Sequence, residues 1–392
     1  MAVLGRVKLF MDCDPTQGYD FYSHFDYLVM SSEGRFPAAG RLWQSYQPPC
    51  YYATAGLLAN FFSLSLLNAG MMVSLFSSVV IALPTYYVAR KVVPGWEWLT
   101  VLILLVIPSS LETSSMIYGQ QLAALWISLF LLLLYREWWV SPTLIGTVSL
   151  GLFWSLALLT RMDGLMLGLP VTVMALCRWR RSKEVGPRLN AFLAWLLTCA
   201  MAAASAAFIL FRNLAGYNTL ILTNRHPQLF PYSHFEMLGL PGFTSWTALI
   251  NPGVHLWTDP ANGQVESLPV YLYQQFCAYH WGYPLPLQVK YFLLIGIGVL
   301  LARGATDWPR KQLWHPAFWL ALSNILLMSL FLVNQPDTTN YKFAYYHATY
   351  FLLALTVSKG ACLLGKGSLK HVSTALWMVP VTAILYGLFF NS

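Results

Sequence analysis

Long apolar runs recur along this chain, and they limit its fold more than any other feature. A helix of about 20 apolar residues crosses the roughly 30 Å hydrocarbon core of a bilayer, and tilt or polar ends change that length slightly. Only 10% of the 392 residues are charged and the mean hydropathy is +0.55, whereas a soluble domain has about 25% charged residues. The chain is therefore predicted to be a polytopic membrane protein.

The predicted fold is all-α, with about ten transmembrane helices, because unpaired backbone groups are too costly in lipid and no alternating barrel pattern appears. The spans are predicted near 69–91, 98–112, 118–136, 143–160, 163–177, 189–211, 288–303, 313–333, 344–359 and 371–389. The predicted organisation is a first loop at 1–65, six spans within 66–212, a large loop at 213–287 and four spans within 288–392.

The distribution of Lys and Arg predicts the orientation, because basic residues in short loops stay on the cytoplasmic side. Five short loops between alternate spans hold 14 of the 23 basic residues: Arg90 and Lys91; Arg136; Arg178, Arg180, Arg181, Lys183 and Arg188; Arg303, Arg310 and Lys311; Lys359, Lys366 and Lys370. The loops at 1–65 and 213–287 are therefore predicted to face outward. The net charge of +8 reflects this asymmetry and attraction to membrane lipid, so no nucleic-acid partner is expected.

Three features that the sequence lacks bear on the source, the class and the topology of the protein. The sequence contains no Asn-x-Ser/Thr sequon, which favours the bacterial plasma (inner) membrane over a glycosylating secretory pathway. It contains no clear internal repeat, which counts against a transporter built from two related halves. No spanning helix precedes the first loop, so either the N-terminus lies outside or a helix lies upstream of this start.

The first loop carries polar side chains at helical spacing in the stretch GYDFYSHFDYL. Asp20 is a candidate N-cap, and four residues later His24 shares its helix face with Tyr27, whereas Asp26 points elsewhere. A carboxylate and an imidazole one turn apart at a membrane surface form a candidate acid/base pair. The alternative is a cap beside an interfacial histidine, and spacing alone does not decide between them.

A second segment of the first loop, QSYQPPCYY, predicts another interfacial helix that begins after Pro48 and Pro49. Aromatic residues at headgroup depth commonly anchor a helix and do nothing more.

Together these segments resemble bacterial polyprenyl-phosphate-dependent glycosyltransferases of the C-type fold, the superfamily of protein O-mannosyltransferases, aminoarabinose transferases and oligosaccharyltransferase catalytic subunits. The resemblance rests on GYDxxxHxxYL, GRFP and WQxYQPPxYY, and extends more weakly through LLTRMDGL, FRNLAGYNTLILTNR and YKFAYYHATYFLLAL. It implies an inverting transfer of a sugar from a polyprenyl-phosphate donor on the outer membrane face. A first-loop Asp would act as base on the acceptor or help to hold a divalent ion.

The resemblance assigns roles to several positions of this chain. Asp20 matches the first-loop acid, His24 the histidine that often follows it, and Gln47 with the two prolines the loop that shapes the lipid-sugar cleft. Arg212 and Asn213 with Tyr217 match an RN…Y pattern at the end of a membrane helix, and Lys342 matches a basic position before a late helix.

One segment, MIYGQQLAAL, departs from the pattern. Relatives commonly have Asn-Glu before such a helix, whereas this chain has Gly119 and Gln120, so a second carboxylate is absent unless Glu112 substitutes. No metal ligands are therefore assigned, and the dependence on a divalent cation stays open.

A departing phosphate needs fixed positive charge, and the outward-facing candidates are Arg161, Arg212, Arg225 and Lys342. The three arginines have plainer alternatives: Arg161 could pair with Asp163 in its turn, Arg212 could extend to the interface, and Arg225 could be a solvated loop residue.

The leading hypothesis is an outward-facing glycosyltransferase that transfers a sugar to an acceptor hydroxyl. The alternative is a catalytically inactive relative that serves as a structural subunit beside partner subunits. Gly119 with Gln120 and the missing first span favour that alternative. A transporter is a third, weaker hypothesis, because the spans contain few polar residues.

Overall fold

The computed structural model describes residues 2–12, 14, 16, 21–35, 47–137, 142–220, 297–305, 315–334 and 347–365, and within them it is helical without any strand. In chain order the helices are α1 (Ala2–Asp12), α2 (Phe21–Ser32), α3 (Cys50–Phe62), α4 (Leu66–Val80), α5 (Ala82–Val92), α6 (Glu97–Val106), α7 (Pro108–Thr113), α8 (Gln120–Glu137), α9 (Leu144–Thr160), α10 (Gly168–Arg181), α11 (Val185–Tyr217), α12 (Pro316–Asn334) and α13 (His347–Gly365). A 3-10 helix covers Met162–Leu167, and residues 297–305 are also helical.

The chain forms two compact units. The first-loop unit comprises Phe10–Ile81 and Thr113–Gly239. The C-terminal unit comprises Met1–Leu9, Ala82–Glu112 and Leu240–Ser392.

In the first-loop unit the two helices of the first loop pack on membrane helices. One apolar cluster includes Leu28 of α2, Tyr51 and Ala55 of α3, Val73 of α4 and Leu125 of α8. Because these side chains come from four different helices, the cluster holds the first loop against α4 and α8.

Close helix packing in the C-terminal unit depends on small residues. A Cβ atom added to Gly304 would overlap the carbonyl oxygen of Thr356 in α13, and one added to Gly360 would overlap that of Leu300. Thr100 of α6 also donates to the Ser358 hydroxyl across 2.8 Å. Glycine therefore lets the backbones of 297–305 and α13 approach directly.

Arg6 of α1 is buried in the C-terminal unit, with 1% of its surface exposed. Its guanidinium donates to the carbonyl oxygens of Leu105 (2.8 Å) and Ser110 (3.1 Å) and to the Ser110 hydroxyl (3.0 Å). Leu105 lies in the last turn of α6, where carbonyls lack partners within the helix and carry partial negative charge. Burial lowers the pKa of Arg6 from 12.5 to about 9, so the group stays charged at neutral pH.

Four helical segments among the described residues are long and apolar enough to span a membrane: Leu66–Val92, Met162–Arg181, Val185–Tyr217 and His347–Gly365. Shorter apolar helices cover Glu97–Val106, Gln120–Arg136, Leu144–Thr160 and Pro316–Leu327. Helices thus stand at the predicted positions from 69 to 211 and at those near 313–333 and 344–359. The predicted span at 371–389 lies outside the described residues. The chain is an integral membrane protein.

Local signals set the ends of several helices. The Ser65 hydroxyl accepts from the Asn68 N–H at the start of α4, and the Thr143 hydroxyl accepts from the Gly146 N–H at the start of α9. Ser63 ends α3 in a left-handed conformation (φ 52°), so the chain turns between α3 and α4 within three residues.

Candidate functional site

Helix α2 begins one residue after Asp20, as the first-loop pattern predicts. Its buried residues are Phe21, His24, Tyr27 and Leu28, whereas Asp26 is exposed. The predicted separation of Asp26 from the His24 face is therefore confirmed. Asp20 itself lies outside the described residues.

His24 is buried, with 6% of its surface exposed, among the aromatic side chains of three segments. Its Nδ1 lies 2.6 Å from the Tyr52 hydroxyl of α3, and its ring centroid lies 4.8 Å from that of Tyr118. The 2.6 Å between Nδ1 and the Tyr52 hydroxyl is the distance of a strong hydrogen bond. The imidazole is therefore held in one orientation by α3.

The rings of Tyr27 and Tyr52 stack with centroids 3.8 Å apart and planes inclined by 14°. The Tyr27 hydroxyl donates to the carbonyl oxygen of Gln47 across 3.2 Å. Burial raises the pKa of Tyr27 above its usual value of 10, an effect that the nearby Arg212 guanidinium partly offsets. Tyr27 thus keeps its proton and can act as this donor.

Arg212, in the last turns of α11, reaches the same carbonyl. Its Nη1 donates to the Gln47 oxygen across 2.9 Å and lies 3.5 Å from the Tyr27 hydroxyl oxygen. Its Nε and Nη2 donate to Oδ1 of Asn213 across 3.3 and 2.9 Å. These bonds orient the guanidinium through uncharged acceptors.

Asn213 and Tyr217 complete the end of α11. The Asn213 amide donates to the Leu220 carbonyl across 3.2 Å, so one side chain binds both Arg212 and the segment that leaves the helix. Tyr217 is buried, with 3% exposed, and its proximity contributes to the raised pKa of Tyr27. Two residues of the RN…Y pattern, Arg212 and Tyr217, therefore lie near Tyr27.

Arg161 forms an ion pair with Asp163. Its Nε lies 3.2 Å from both carboxylate oxygens of Asp163, and both side chains are 8% exposed. The alternative, in which Arg161 pairs with Asp163 in its turn, is the one that this geometry supports.

The Gly119–Gln120 departure lies at the start of α8. A Cβ atom on Gly119 would lie 3.4 Å from Cβ of Tyr51 and 3.5 Å from Cγ2 of Thr160, and Oε1 of Gln120 is buried without a hydrogen-bond partner. The described residues contain no group of three or more His, Cys, Asp or Glu side chains that could hold a metal ion. The Glu112 side chain lies outside the described part of the chain.

Four of the eight predicted site residues thus come together in the first-loop unit: His24, Gln47, Arg212 and Tyr217. Arg161 is paired with Asp163 instead, and Asp20, Arg225 and Lys342 lie outside the described residues.

Two residues of the site were missed by the sequence patterns. Tyr52 bonds His24 and stacks on Tyr27, and Tyr118 covers the imidazole. Tyr52 belongs to the QPPCYY segment, where an aromatic residue looked like a membrane anchor. The one feature that could have identified Tyr52 was its position in WQxYQPPxYY, a motif on which the family resemblance rests.

No protein-family model matches the sequence, and a comparison with curated proteins finds no significant match.

Solved structures do resemble the fold. The archaeal oligosaccharyltransferase AglB from Archaeoglobus fulgidus, in complex with an inhibitory peptide and a dolichol-phosphate, matches with a TM-score of 0.57 and 14% identity over 99% of this chain and 54% of that chain. A complex of the same protein with Zn and sulfate matches with a TM-score of 0.56 and 14% identity, over 99% of this chain and 51% of that chain. The chain therefore spans about half the length of AglB.

ArnT from Cupriavidus metallidurans, bound to undecaprenyl phosphate, matches with a TM-score of 0.43 and 14% identity over 93% of this chain and 76% of that chain. At such identities the AglB matches concern the fold alone. They show that this chain shares the fold of AglB, an oligosaccharyltransferase, as the resemblance of its first loop implied.

Proposed function

We propose that the chain is an inverting glycosyltransferase that moves a sugar from a polyprenyl-phosphate donor to an acceptor hydroxyl. In this proposal the protein has about ten spans and lies in a bacterial plasma membrane with its active face outward. The dolichol-phosphate of the AglB complex, a protein with the same fold, supports a lipid phosphate as the leaving group.

The observation that carries the proposal is the anchoring of Arg212 at the end of α11. The Gln47 carbonyl, the Tyr27 hydroxyl and the Asn213 amide oxygen fix its guanidinium in orientation. A cation held in a fixed position can stabilise the negative charge of a departing phosphate. Arg212 is therefore the phosphate-binding residue of the proposal, with Arg225 and Lys342 as further cations and Tyr217 as part of its support.

The reaction follows from these roles. Asp20 accepts the proton of the acceptor hydroxyl as its oxygen forms a bond to the anomeric carbon. The bond between that carbon and the phosphate oxygen breaks, and its electron pair leaves with the lipid phosphate, where Arg212 stabilises the charge. Attack from the face opposite to the phosphate inverts the anomeric centre.

A structural subunit is the second candidate, favoured by Gly119 and Gln120 where relatives have a carboxylate. The two candidates differ in what Asp20 does: an enzyme needs its basicity, whereas a subunit needs at most its capping ability.

The test uses the full chain in lipid nanodiscs with undecaprenyl-phosphate mannose or aminoarabinose and a detergent extract of bacterial envelope as the acceptor source. Release of undecaprenyl phosphate is the measurement. Asp20→Asn keeps size and capping ability, so transfer should fall by about 10²- to 10⁴-fold while folding is retained. The exposed Asp26→Asn is the matched control and should retain transfer.

Absence of transfer from the unmodified protein with both donors, together with copurification of other subunits in fixed ratio, would favour the structural subunit.

Lys342 is tested in the same assay. Lys342→Ala should raise the donor KM or lower kcat by about 10- to 100-fold, and Lys342→Arg should retain part of the activity because the charge survives. Unchanged kinetics in the alanine variant would leave the phosphate to Arg212 and Arg225.

A further inference from the structure

The turn between α10 and α11 joins a basic cluster to an exposed apolar surface, and the proposed reaction uses neither. Both flanking segments, Met162–Arg181 and Val185–Tyr217, are long and apolar enough to span a membrane, so we expect the turn at a membrane surface. Residues 178–188 contain one acidic and five basic side chains: Glu184, Arg178, Arg180, Arg181, Lys183 and Arg188. The segment therefore presents net positive charge at the level of the lipid headgroups.

Hydrogen bonds fix the backbone that carries these charges. The Ser182 N–H and hydroxyl both donate to the carbonyl oxygen of Arg178 across 3.0 Å, at the end of α10. Arg188, in the first turns of α11, donates from Nε to the Ser182 carbonyl across 2.8 Å. The turn is thus closed from both helices, and Arg180 and Lys183 are exposed on it.

Aromatic rings of both helices form a row beside the turn. Trp179 of α10 is exposed and lies edge-on to Phe192 of α11, with ring centroids 6.3 Å apart. The Phe192 ring lies 5.9 Å from that of Trp195, whose Nε1 donates to the Thr172 hydroxyl across 3.1 Å. Tryptophan is enriched where a membrane protein meets the headgroups, so the row lies at the depth expected for a lipid glycerol backbone.

An exposed apolar stripe continues from this row along α11. Its members recur at the spacing of one helix face: Leu189, Phe192, Leu193 and Leu196. Ala191 and Ala194, on another face of the helix, are buried against the protein. Because the stripe begins beside the basic turn, a molecule that contacts both needs an anionic headgroup and an acyl chain.

We infer that the α10–α11 turn and this stripe form a binding site for an anionic phospholipid of the bilayer. Arg180 and Lys183 contact the headgroup phosphate, and an acyl chain lies along the stripe beside Trp179. Charge complementarity selects an anionic lipid over a zwitterionic one, because basic residues beside spanning helices attract anionic headgroups. The inference depends neither on the proposed reaction nor on which side of the membrane the turn occupies.

The first measurement identifies the lipid that the protein retains. The full chain is reconstituted with equal amounts of phosphatidylglycerol and phosphatidylcholine of the same acyl chains, extracted in mild detergent and analysed by native mass spectrometry. We expect phosphatidylglycerol to be retained in preference. Arg180→Gln combined with Lys183→Gln should weaken its retention by about 25-fold, since each basic residue near the headgroups contributes about five-fold. Equal retention of the two lipids by the unmodified protein would overturn the inference.

The charge-matched control is Arg90→Gln combined with Lys91→Gln, which removes two exposed cations from the last turn of α5. Retention of phosphatidylglycerol should stay unchanged in this variant. Equal losses in the two double variants would indicate a diffuse attraction between a positive surface and anionic lipid, and would overturn a localised site. Exchange of the two cations, Arg180→Lys with Lys183→Arg, should preserve retention because the charge survives, and loss of retention there would contradict selection by charge.

A third comparison tests the acyl-chain part of the site. Trp179→Ala removes the ring that meets Phe192 and should lower retention, whereas Trp98→Ala, which removes an exposed tryptophan of α6, should not. Excess inorganic phosphate should not displace the lipid, because it has no acyl chain, and displacement would show an anion site without lipid specificity. Each variant should melt like the unmodified protein in phosphatidylcholine alone, whereas added phosphatidylglycerol should raise the melting temperature only where the site is intact. An equal rise in Arg180→Gln with Lys183→Gln would overturn the inference.

Discussion

The Arg212 guanidinium donates to the carbonyl oxygen of Gln47 across 2.9 Å, although the two residues lie 165 positions apart. This bond joins the end of α11 to the segment that enters α3. Because Tyr27 donates to the same oxygen, three parts of the chain meet at one backbone acceptor. The contact both closes the first-loop unit and orients a cation.

Replacement of Arg212 should therefore affect stability and ligand binding together. Arg212→Ala removes the charged donor to the Gln47 carbonyl and leaves the Tyr27 hydroxyl as a donor to that oxygen. Hydrogen bonds to charged groups contribute about 1.5–3 kcal/mol to stability. We expect a lower melting temperature in detergent and the loss of stabilisation by added undecaprenyl phosphate. Arg212→Lys should recover part of that stabilisation, because its charge survives without the planar fork.

The control for this change is Arg90→Ala, an exposed arginine of α5 on the predicted cytoplasmic side. It should melt like the unmodified protein and keep its response to the lipid. A normal lipid response in Arg212→Ala would contradict the assignment of Arg212 to phosphate.

Gly164 should tolerate no side chain. An added Cβ atom would lie 2.8 Å from the Leu158 nitrogen and 2.9 Å from the Ala157 carbonyl carbon, both backbone atoms of α9 that cannot rotate away. Gly164→Ala should lower the melting temperature, since overpacking costs about 1–3 kcal/mol. Gly186→Ala, in the first turn of α11 with open space around it, should be neutral or stabilising. Equal melting of the two variants would refute this packing.

Arg6 should contribute far more to stability than an exposed arginine does. Arg6→Ala removes three hydrogen bonds to Leu105 and Ser110 from a buried site, and unmet buried acceptors cost about 1–3 kcal/mol each. Arg35, whose ion pair with Glu33 is exposed, is the matched control, because such pairs contribute about 0–1 kcal/mol. Thermal melting of both alanine variants checks this, and similar midpoints would contradict it.

The predicted orientation is tested by cysteine labelling. In a background without the six native cysteines, a cysteine at Ser182 should react with a membrane-impermeant maleimide only from the cytoplasm, and one at Ser267 only from outside. The reason is the cluster of Arg178, Arg180 and Arg181 in the last turn of α10, which is costly to translocate. Labelling of both positions from the same side would contradict the predicted orientation and with it the proposed active face.

Several features of this protein follow from short stretches of sequence. Apolar runs predicted helices where α8, α9 and α11 stand, and Pro49 predicted the start of α3, because helix length, capping and solvent preference depend on neighbouring residues. The ion pair between Arg161 and Asp163 was foreseeable as an alternative for the same reason, since the two residues share one turn.

The surroundings of the site residues did not follow in this way. His24 was a candidate from its spacing, but nothing local indicated that the Tyr52 hydroxyl would lie beside its Nδ1. Nor did the sequence indicate that Tyr27 would stack on Tyr52 and donate a hydrogen bond to Gln47. An aromatic residue in an interfacial segment can anchor a helix at the membrane surface or pack inside the protein, and the local sequence is the same in both cases.

The sequence by itself determined the solvent in which the protein folds, its helices and the residue types available for chemistry, because each of these depends on composition and short-range periodicity. Only the tertiary structure decided that Arg212 meets Gln47, that Tyr52 meets His24 and that Arg6 is buried against the end of α6. These contacts join residues 165, 28 and 99 positions apart. They form when packed helices bring together side chains that are distant in sequence. A periodic pattern along one helix carries no information about which distant residues will meet.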